Sequence, residues 1–216
     1  YTGSLYFAKY VLGNEAVYSI LTILVVPGGA IATVLIPWFT KHFGKKNTYI
    51  YVHVLGAVVM FAMYFIGRNG GYNNSSNLLW LAIGFVLLGL PQGINNVITY
   101  AMIGDTVEYL EWKTGERAEG ICFSMQTFIN KISMAVGAFI GVMAYGISGI
   151  SPSDPYNTVT PEGSEKLWAV LILSGAISMV ATIIPMLFYK VTESKQREYV
   201  KEIEERKAAK AAKTAE

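Results

Sequence analysis

Long apolar segments, separated by short polar ones, run along most of the chain. A transmembrane helix needs about 20 predominantly apolar residues; five segments come close to that length, and a partial one stands at the start. The six predicted spans are 1–13, 16–39, 49–67, 78–103, 121–147 and 167–189. They predict an all-α integral membrane domain, a bundle of six transmembrane helices over residues 1–190, followed by a charged tail over residues 191–216.

The composition supports a membrane protein and narrows its chemistry. Hydrophobic residues make up 53% of the 216 residues and charged residues 15%, and the mean hydropathy is +0.40. The lone cysteine, Cys122, provides neither a disulfide framework nor metal-ligand spacing, and His42 and His53 have no partner acid beside them. We therefore expect a protein of the lipid bilayer that is not an enzyme, holds no metal and binds no nucleic acid.

Basic residues fall at one end of the predicted bundle, which we call the basic end. The loops at the opposite end carry only Arg68 and Lys166, and Lys9 lies close to that end of the first span. Because short basic loops stay on the cytoplasmic side of a membrane, we expect a multi-pass protein of the cell membrane with its tail in the cytoplasm. The basic end holds Lys41, Lys45, Lys46, Lys113, Arg117 and the basic residues of the tail.

One charged residue, Lys131, lies deep within a predicted span. It stands ten residues past Ile121, about 15 Å along a helix and about half of a hydrocarbon core some 30 Å thick. A lysine at that depth costs about 2.5–3.5 kcal/mol on insertion scales, so it marks a functional site by default. The residues that share its helix face favour a substrate or ion pathway. They are Gln126, Thr127 and Asn130.

A second polar stripe lies on the preceding span, at a depth similar to that of Lys131. Its members follow spacings of three and four residues and so share one helix face. They are Gln92, Asn95, Asn96 and Thr99. We expect the two stripes to line one cavity that suits a ligand rich in hydroxyl groups. The alternative is that such side chains only join helices by hydrogen bonds, which is the favoured interpretation for Gln92 alone.

Three acids stand at the C-terminal end of the fourth predicted span, where the helix dipole disfavours negative charge. They are Asp105, Glu108 and Glu111. We expect compensation from Lys113 and Arg117 in the same loop, or from basic residues outside this chain. Such a cluster forms either a cytoplasmic gate that locks and unlocks or a static loop network, and the sequence leaves both open.

A Pro-Gly-Gly triplet, residues 27–29, lies in the middle of the second predicted span. Proline lacks a backbone hydrogen-bond donor, and small residues let membrane helices approach closely. Close helix packing is the favoured interpretation of the triplet, ahead of a gating hinge.

The residues around the three acids resemble a known family. Residues 105–120 read D-x-x-E-Y-x-E-W-K-T-G-x-R-x-x-G, and Ser124-x-Gln126-Thr127-Phe128 and Lys131 follow. This string closely resembles the helix 10–11 region of the glycoside–pentoside–hexuronide:cation symporters, the melibiose-permease branch of the major facilitator superfamily. Two further segments look like the C-terminal half of that family, Gly13-Asn14 and Trp38-x-x-Lys41-x-x-Gly44-Lys45-Lys46.

The resemblance implies that this chain is the second six-helix bundle, helices 7 to 12, of a twelve-helix transporter. Family members bind a sugar near the midplane between two bundles and couple its entry to H⁺, Na⁺ or Li⁺. By match, Lys131 corresponds to the family's helix-11 lysine near the sugar and cation sites, and Gln126 and Thr127 to residues of the sugar pocket. Asn96 departs from the family, because the melibiose permease has a pocket aromatic there, so the sugar preference does not carry over. Asn95 and Asn130 complete the candidate substrate-binding set.

The resemblance also implies components outside this chain. The family's cation-binding carboxylates and its principal sugar-holding carboxylates belong to the N-terminal half, so that missing half is an expected partner. No cofactor is expected beyond the coupling cation, Na⁺ or H⁺. The polar faces of the fourth and fifth spans would otherwise confront lipid, which is unfavourable for each unpaired group.

Two functions of different classes follow from these observations. The first is secondary active transport of a sugar or glycoside, coupled to a cation by alternating access. The second is a non-transporting membrane sugar sensor or scaffold on the same fold. Ligand binding without substrate movement would favour the second.

Overall fold

Helices dominate the computed structural model, which describes residues 2–151 and 153–215. No strand occurs within those ranges. A π-helical turn, Phe7–Val11, continues the first helix, and a 3₁₀ segment, Arg68–Asn73, joins the second helix to the third. The α-helices of the described chain are α1 (Thr2–Tyr6), α2 (Ala16–Gly67), α3 (Ser75–Thr114), α4 (Glu119–Ile147), α5 (Pro155–Thr158), α6 (Pro161–Phe188) and α7 (Glu193–Ala215).

Four of the described helices are long and apolar enough to cross a membrane. They are α2 with the turn that follows it, α3, α4 and α6. Every predicted span from residue 16 onward lies within one of these helices, except that α6 ends one residue before the predicted span does. The short α1 and its π-helical turn occupy the predicted partial span, of which residue 1 lies outside the described residues. The all-α architecture is therefore as predicted.

The longest helix, α2, contains 52 residues but changes direction at Gly44. Gly44 has φ 76° and ψ 161°, a conformation that only glycine adopts readily. It divides α2 into a first arm, residues 16–43, and a second arm, residues 45–67. The chain therefore turns between the two arms at a single non-helical residue.

The two arms of α2 pass α3 in opposite directions, so they are antiparallel to each other. The first arm runs parallel to α3 and the second runs antiparallel to it. The contacts that show this are Val25–Gly89 and Gly29–Gly93 for the first arm, and Tyr49–Asn95 and Met63–Gly84 for the second.

Glycines bring the backbones of α2 and α3 into direct contact. A methyl group on Gly28 would collide with the carbonyl of Val86, and one on Gly93 would collide with the carbonyl of Gly29. Membrane helices associate through such small-residue contacts because lipid offers no hydrophobic driving force between them. The packing interpretation of the triplet over residues 27–29 is confirmed.

Two apolar clusters hold the packed helices together. Toward the end opposite the basic end, the rings of Phe7, Tyr72 and Trp168 have centroids 4.8, 5.3 and 5.6 Å apart. Toward the basic end, the cluster is mainly aliphatic and includes Ile94 and Ile98, each 1% exposed. The core therefore lies among the π-helical turn, α2, α3 and α6.

The helix α4 is packed very differently from its neighbours. Of its 29 residues, all of them described, only Gly141 and Ala144 are buried. Both lie near its C-terminal end, where the ring of Tyr145 lies 4.8 Å from that of Tyr6 in α1. The polar face of α4 is separated from that of α3 by the space described next.

Candidate functional site

A cavity of about 840 Å³ separates α3 from α4, with one wall completed by Tyr49 from the second arm of α2. The two polar stripes face each other across it. No acidic or basic side chain lines it among the described residues. Its polar lining consists of Tyr49, Gln92, Asn95, Asn96, Thr99, Tyr100, Gln126, Asn130 and Ser133.

Asn95 is the side chain in this cavity that the protein itself holds in place. The hydroxyl of Tyr49 donates a hydrogen bond to Asn95 Oδ1 at 3.2 Å, and the hydroxyl of Thr99 donates to the same oxygen at 3.3 Å. Two donors on one carbonyl oxygen fix the orientation of the amide. They direct its NH₂ group to other partners.

The other amides of the cavity lack such partners. Within the described chain, no hydrogen bond is formed by the side chains of Gln92, Asn96, Gln126 or Asn130. Gln126 Oε1 is moreover shielded from solvent without a partner. An unpaired amide at membrane depth is costly, so these groups are available to a ligand or to water. They do not act as the interhelical links that the alternative interpretation requires.

Lys131 and Thr127 lie on the flank of the cavity and are not part of its lining. Both side chains are exposed. Thr127 donates its hydroxyl hydrogen bond to Phe123 O, one turn earlier, at 3.0 Å. Lys131 follows Asn130 directly, so it points about 100° away from that cavity residue, and it forms no ion pair or hydrogen bond with the described chain. The structure thus assembles four of the six predicted substrate-binding residues and sets these two beside them.

At the basic end, Asp105 is buried in an ion pair with Lys45. Lys45 Nζ lies 2.6 Å from Asp105 Oδ1 and 2.7 Å from Oδ2, and the Asp105 side chain is 7% exposed. The hydroxyl of Tyr189 donates to Asp105 Oδ2 at 3.4 Å. Burial, and then the Asp105 carboxylate, raise the pKa of Tyr189 well above its ordinary value, so the phenol stays protonated as a donor.

Lys45 also begins the second arm of α2, and a carboxylate from α7 caps that start. Glu193 accepts a hydrogen bond from the backbone N–H of Lys45. The first N–H groups of a helix have no partner within it, and an anion there is favoured by the helix dipole. A methyl group on Gly44 would approach the Glu193 carboxylate to 3.0 Å, so glycine serves both the kink and the cap.

The other two acids of α3 each have a partner on α7. Gln196 Nε2 donates to Glu108 Oε2 at 2.6 Å. Glu111, whose side chain is 6% exposed, pairs with Lys207 at 2.6 Å and with Arg117 at 3.0 Å. All three acids therefore have partners within this chain.

Aromatic contacts fix α7 on the end of α3. The ring of Tyr199 lies 4.6 Å from that of Trp112 and 5.6 Å from that of Tyr109, measured between centroids. Trp112 Nε1 donates to Glu202 at 2.7 Å, and Arg206 donates to the Trp112 carbonyl at 2.7 Å. The tail is thus a docked helix rather than a free surface segment.

The expected partners of the acids are only partly the observed ones. Arg117 does pair with Glu111, but Lys113 pairs with no acid among the described residues. Its Nζ lies 5.9 Å from the centroid of the Tyr109 ring. Sequence reasoning missed Lys45, Gln196 and Lys207. The signal for the last two was the apolar and aromatic stripe within the charged tail, where Ile203 is 8% exposed.

The chain matches the family described as MFS/sugar transport protein over residues 1–193. A glucuronide carrier protein homolog of Escherichia coli (strain K12) is 27% identical over 205 residues, covering 94% of this chain and 43% of the relative. A putative sulfoquinovose importer of the same organism is 31% identical over 203 residues, covering 94% and 41%. A raffinose carrier protein of Pediococcus pentosaceus is 28% identical over 205 residues, covering 92% and 30%. No solved structure matches the chain significantly.

The chain spans less than half of the length of each of these relatives. The family and the named relatives are transporters rather than enzymes. The family match and the four long apolar helices identify a multi-pass membrane protein. The chain belongs to the MFS/sugar transport family, as its resemblance to the glycoside–pentoside–hexuronide:cation symporters predicts.

Proposed function

We propose that this chain is the C-terminal six-helix bundle of a transporter that moves a sugar or glycoside together with Na⁺ or H⁺ by alternating access. The observation that carries the proposal is the cavity between α3 and α4, whose uncharged amides, apart from Asn95, are unpaired at membrane depth. Relatives named for glucuronide, sulfoquinovose and raffinose support a sugar as the substrate. Counting the arms of α2 separately gives five long crossings, and α1 supplies the end of a sixth.

The chemistry of the cavity suits a ligand with many hydroxyl groups. An amide offers two donors and a carbonyl acceptor, so Asn96, Gln126 and Asn130 can each accept from one hydroxyl and donate to another. Because these groups have no protein partners, ligand binding breaks no existing hydrogen bond. Asn95, already oriented by Tyr49 and Thr99, presents its NH₂ group at low entropic cost.

Lys131 has a different role in this proposal from that of the cavity amides. Its exposed ammonium group has no partner within the described chain and stands at the edge of the cavity. A lysine at that depth is stabilised by acids, backbone carbonyls or water, and the carboxylates of an N-terminal half would supply the acids. We assign Lys131 to the electrostatic organisation of the joint sugar and cation site, and Thr127 to the same edge. The principal cation site lies in the other half.

The basic end forms the cytoplasmic gate in this proposal. Its orientation follows from the excess of lysine and arginine there. Asp105, Glu108, Glu111, Lys113 and Arg117 form the gate cluster, and α7 closes it through its contacts with Glu108 and Glu111. Ion pairs and a docked helix of this kind have two arrangements, paired and released, that an alternating-access cycle requires.

Counterflow of labelled glycosides, pentosides and hexuronides in cells that express the complete protein tests the proposal. With one exchanging sugar identified, Lys131→Ala should abolish cation-driven accumulation while membrane insertion is unchanged. Lys166→Ala is the control, because Lys166 pairs with Glu162 at the opposite end. Normal accumulation by Lys131→Ala would refute the role given to this lysine. Sugar binding without exchange by the wild-type protein would instead indicate a sensor.

A further inference from the structure

An aromatic pair on the second arm of α2 lies at the wall of the cavity between α3 and α4, which we call the polar cavity. Tyr49 lines that cavity, and the ring of His53, one helical turn later, stacks on the ring of Tyr49. The two ring centroids are 3.9 Å apart and the ring planes meet at 23°. His53 itself does not line the polar cavity. It can therefore influence a ligand there only through Tyr49.

The imidazole of His53 is itself fixed by the protein. Its Nδ1 lies 2.8 Å from the backbone oxygen of Tyr49. Because a carbonyl oxygen only accepts, Nδ1 carries the proton and donates it to this hydrogen bond. The residue is 4% exposed, and a side chain in a close-packed interior has few other rotamers available. The imidazole is thus a rigid support for one face of the Tyr49 ring, and such stacked rings attract each other.

Tyr49 carries this support to a side chain of the polar cavity. Its hydroxyl donates to Asn95 Oδ1 at 3.2 Å, which is longer than most hydrogen bonds between two oxygens, so a small displacement of the ring breaks it. The Thr99 hydroxyl donates to the same oxygen at 3.3 Å. With both lone pairs of Oδ1 engaged, Asn95 can only donate to a ligand, through its NH₂ group.

We propose that His53 is a positioning residue for ligand binding: it holds Tyr49, which orients Asn95 as a hydrogen-bond donor to one oxygen of the sugar. This inference rests on the proposed function, to whose site it adds a specificity, namely that one sugar oxygen accepts from Asn95. The alternative is that His53 only fills space in the core. It would then stabilise the fold without distinguishing one part of the sugar from another.

Binding of deoxy sugars to the purified complete protein tests the inference. The probes are the methyl glycosides of galactose, xylose and glucuronic acid, each with analogues that lack one hydroxyl group. In the wild type, removing the hydroxyl that accepts from Asn95 should weaken binding by roughly tenfold. In Tyr49→Phe that loss should shrink to about threefold or less, because the orienting hydroxyl is absent, and this change identifies the sugar hydroxyl concerned.

His53→Leu should shrink the loss at that same sugar hydroxyl and leave the losses at the other hydroxyls unchanged. Combined with Tyr49→Phe it should have no further effect, because the two substitutions interrupt one chain of contacts. His53→Phe retains a stacked ring, so it should keep the wild-type pattern. His53→Asn retains a side-chain N–H but no ring and is the second variant where His53→Leu is poorly expressed.

His42→Leu is the matched control. His42 has the same local arrangement as His53, since its Nδ1 lies 2.7 Å from Trp38 O and its ring centroid lies 4.6 Å from that of Trp38. Trp38 does not line the polar cavity. The substitution should therefore leave the affinity for every analogue unchanged.

The outcomes separate this inference from the proposed function. An equal loss of affinity for every analogue in His53→Leu overturns the positioning role and leaves a structural one. An unchanged pattern in His53→Leu also overturns it, as does a pattern in His53→Phe that matches His53→Leu; exchange of the bound glycoside would still support transport. A selective change at one hydroxyl, in a protein that binds the glycoside but does not exchange it, supports the positioning role and refutes transport. Binding of no probe to the wild type overturns both.

Discussion

The polar cavity and the basic end differ in whether their polar groups have partners within the chain. At the basic end, Asp105, Glu108 and Glu111 each have a partner within this chain, at 2.6 Å in every case. In the cavity the amides are uncharged, and most have no partner in the described chain. The difference distinguishes the polar groups that stabilise the fold from those that remain available to a ligand. Paired groups hold helices in place, whereas unpaired groups at membrane depth are available for binding.

The largest effect expected from this comparison is at the buried ion pair. Asp105→Asn leaves the Lys45 ammonium without its counter-charge, which should lower the free energy of unfolding by about 3 kcal/mol. Denaturant titration of the purified complete protein in detergent measures this loss of stability. Glu116→Gln is the control, an exposed acid of the following loop, and should change stability by less than about 0.5 kcal/mol.

A double variant sharpens that prediction. Lys45→Met together with Asp105→Asn removes both charges, so it should recover part of the stability lost in Asp105→Asn alone. Additive losses in the double variant would show that the two residues do not interact, contrary to the geometry described above.

An intermediate effect is expected in the cavity, on ligand affinity rather than on stability. Asn130→Leu removes a group without protein partners, so it should weaken sugar binding by roughly tenfold to a hundredfold and leave the free energy of unfolding unchanged or higher. Equilibrium binding of the transported sugar and denaturant titration check the two parts.

Asn77→Leu is the matched control for the cavity, because Asn77 donates to Gly71 O at 3.2 Å. It should lower the free energy of unfolding by about 1 kcal/mol and leave affinity unchanged. If Asn130→Leu destabilised the protein as much as Asn77→Leu does, Asn130 would have a structural role, contrary to its lack of protein partners.

The smallest effect separates two lysines of the basic end. Lys207→Ala removes one of the two partners of Glu111 and should lower the free energy of unfolding by at most about 1 kcal/mol, with a loss that shrinks in high salt. Lys113→Ala touches no acid and should change it less. Equal losses of stability from the two substitutions would contradict the observed pairing of Glu111 with Lys207 and not with Lys113.

Local patterns in the sequence predict much of this fold. Apolar runs identify the long helices because length and composition alone decide whether a segment crosses a membrane. The spacing of Gln92 and Asn95 predicts a stripe because helix geometry fixes which residues share a face. The packing of the triplet over residues 27–29 was accessible for the same reason, since small residues mark close contacts.

Contacts between distant segments are harder to predict from the sequence. Lys45 and Asp105 are 60 residues apart and Glu111 and Lys207 are 96 apart, and no spacing rule relates such positions. The sequence predicts how far Lys131 lies along its span but not in which direction its side chain points. A rotation of about 100° separates it from Asn130, and which of the two faces α3 depends on how α4 is oriented in the bundle.

The attachment of α4 has a mechanical consequence. A helix whose buried residues, Gly141 and Ala144, lie near one end is a lever with its pivot there. Gln126 lies about 22 Å from Gly141 along the axis, at 1.5 Å per residue. A tilt of about 5° at the pivot therefore displaces Gln126 by about 2 Å, comparable to the difference between a formed and a broken hydrogen bond. The displacement shrinks toward the pivot, so a change of angle there alters the position of Gln126 more than that of Asn130, and that of Asn130 more than that of Ser133.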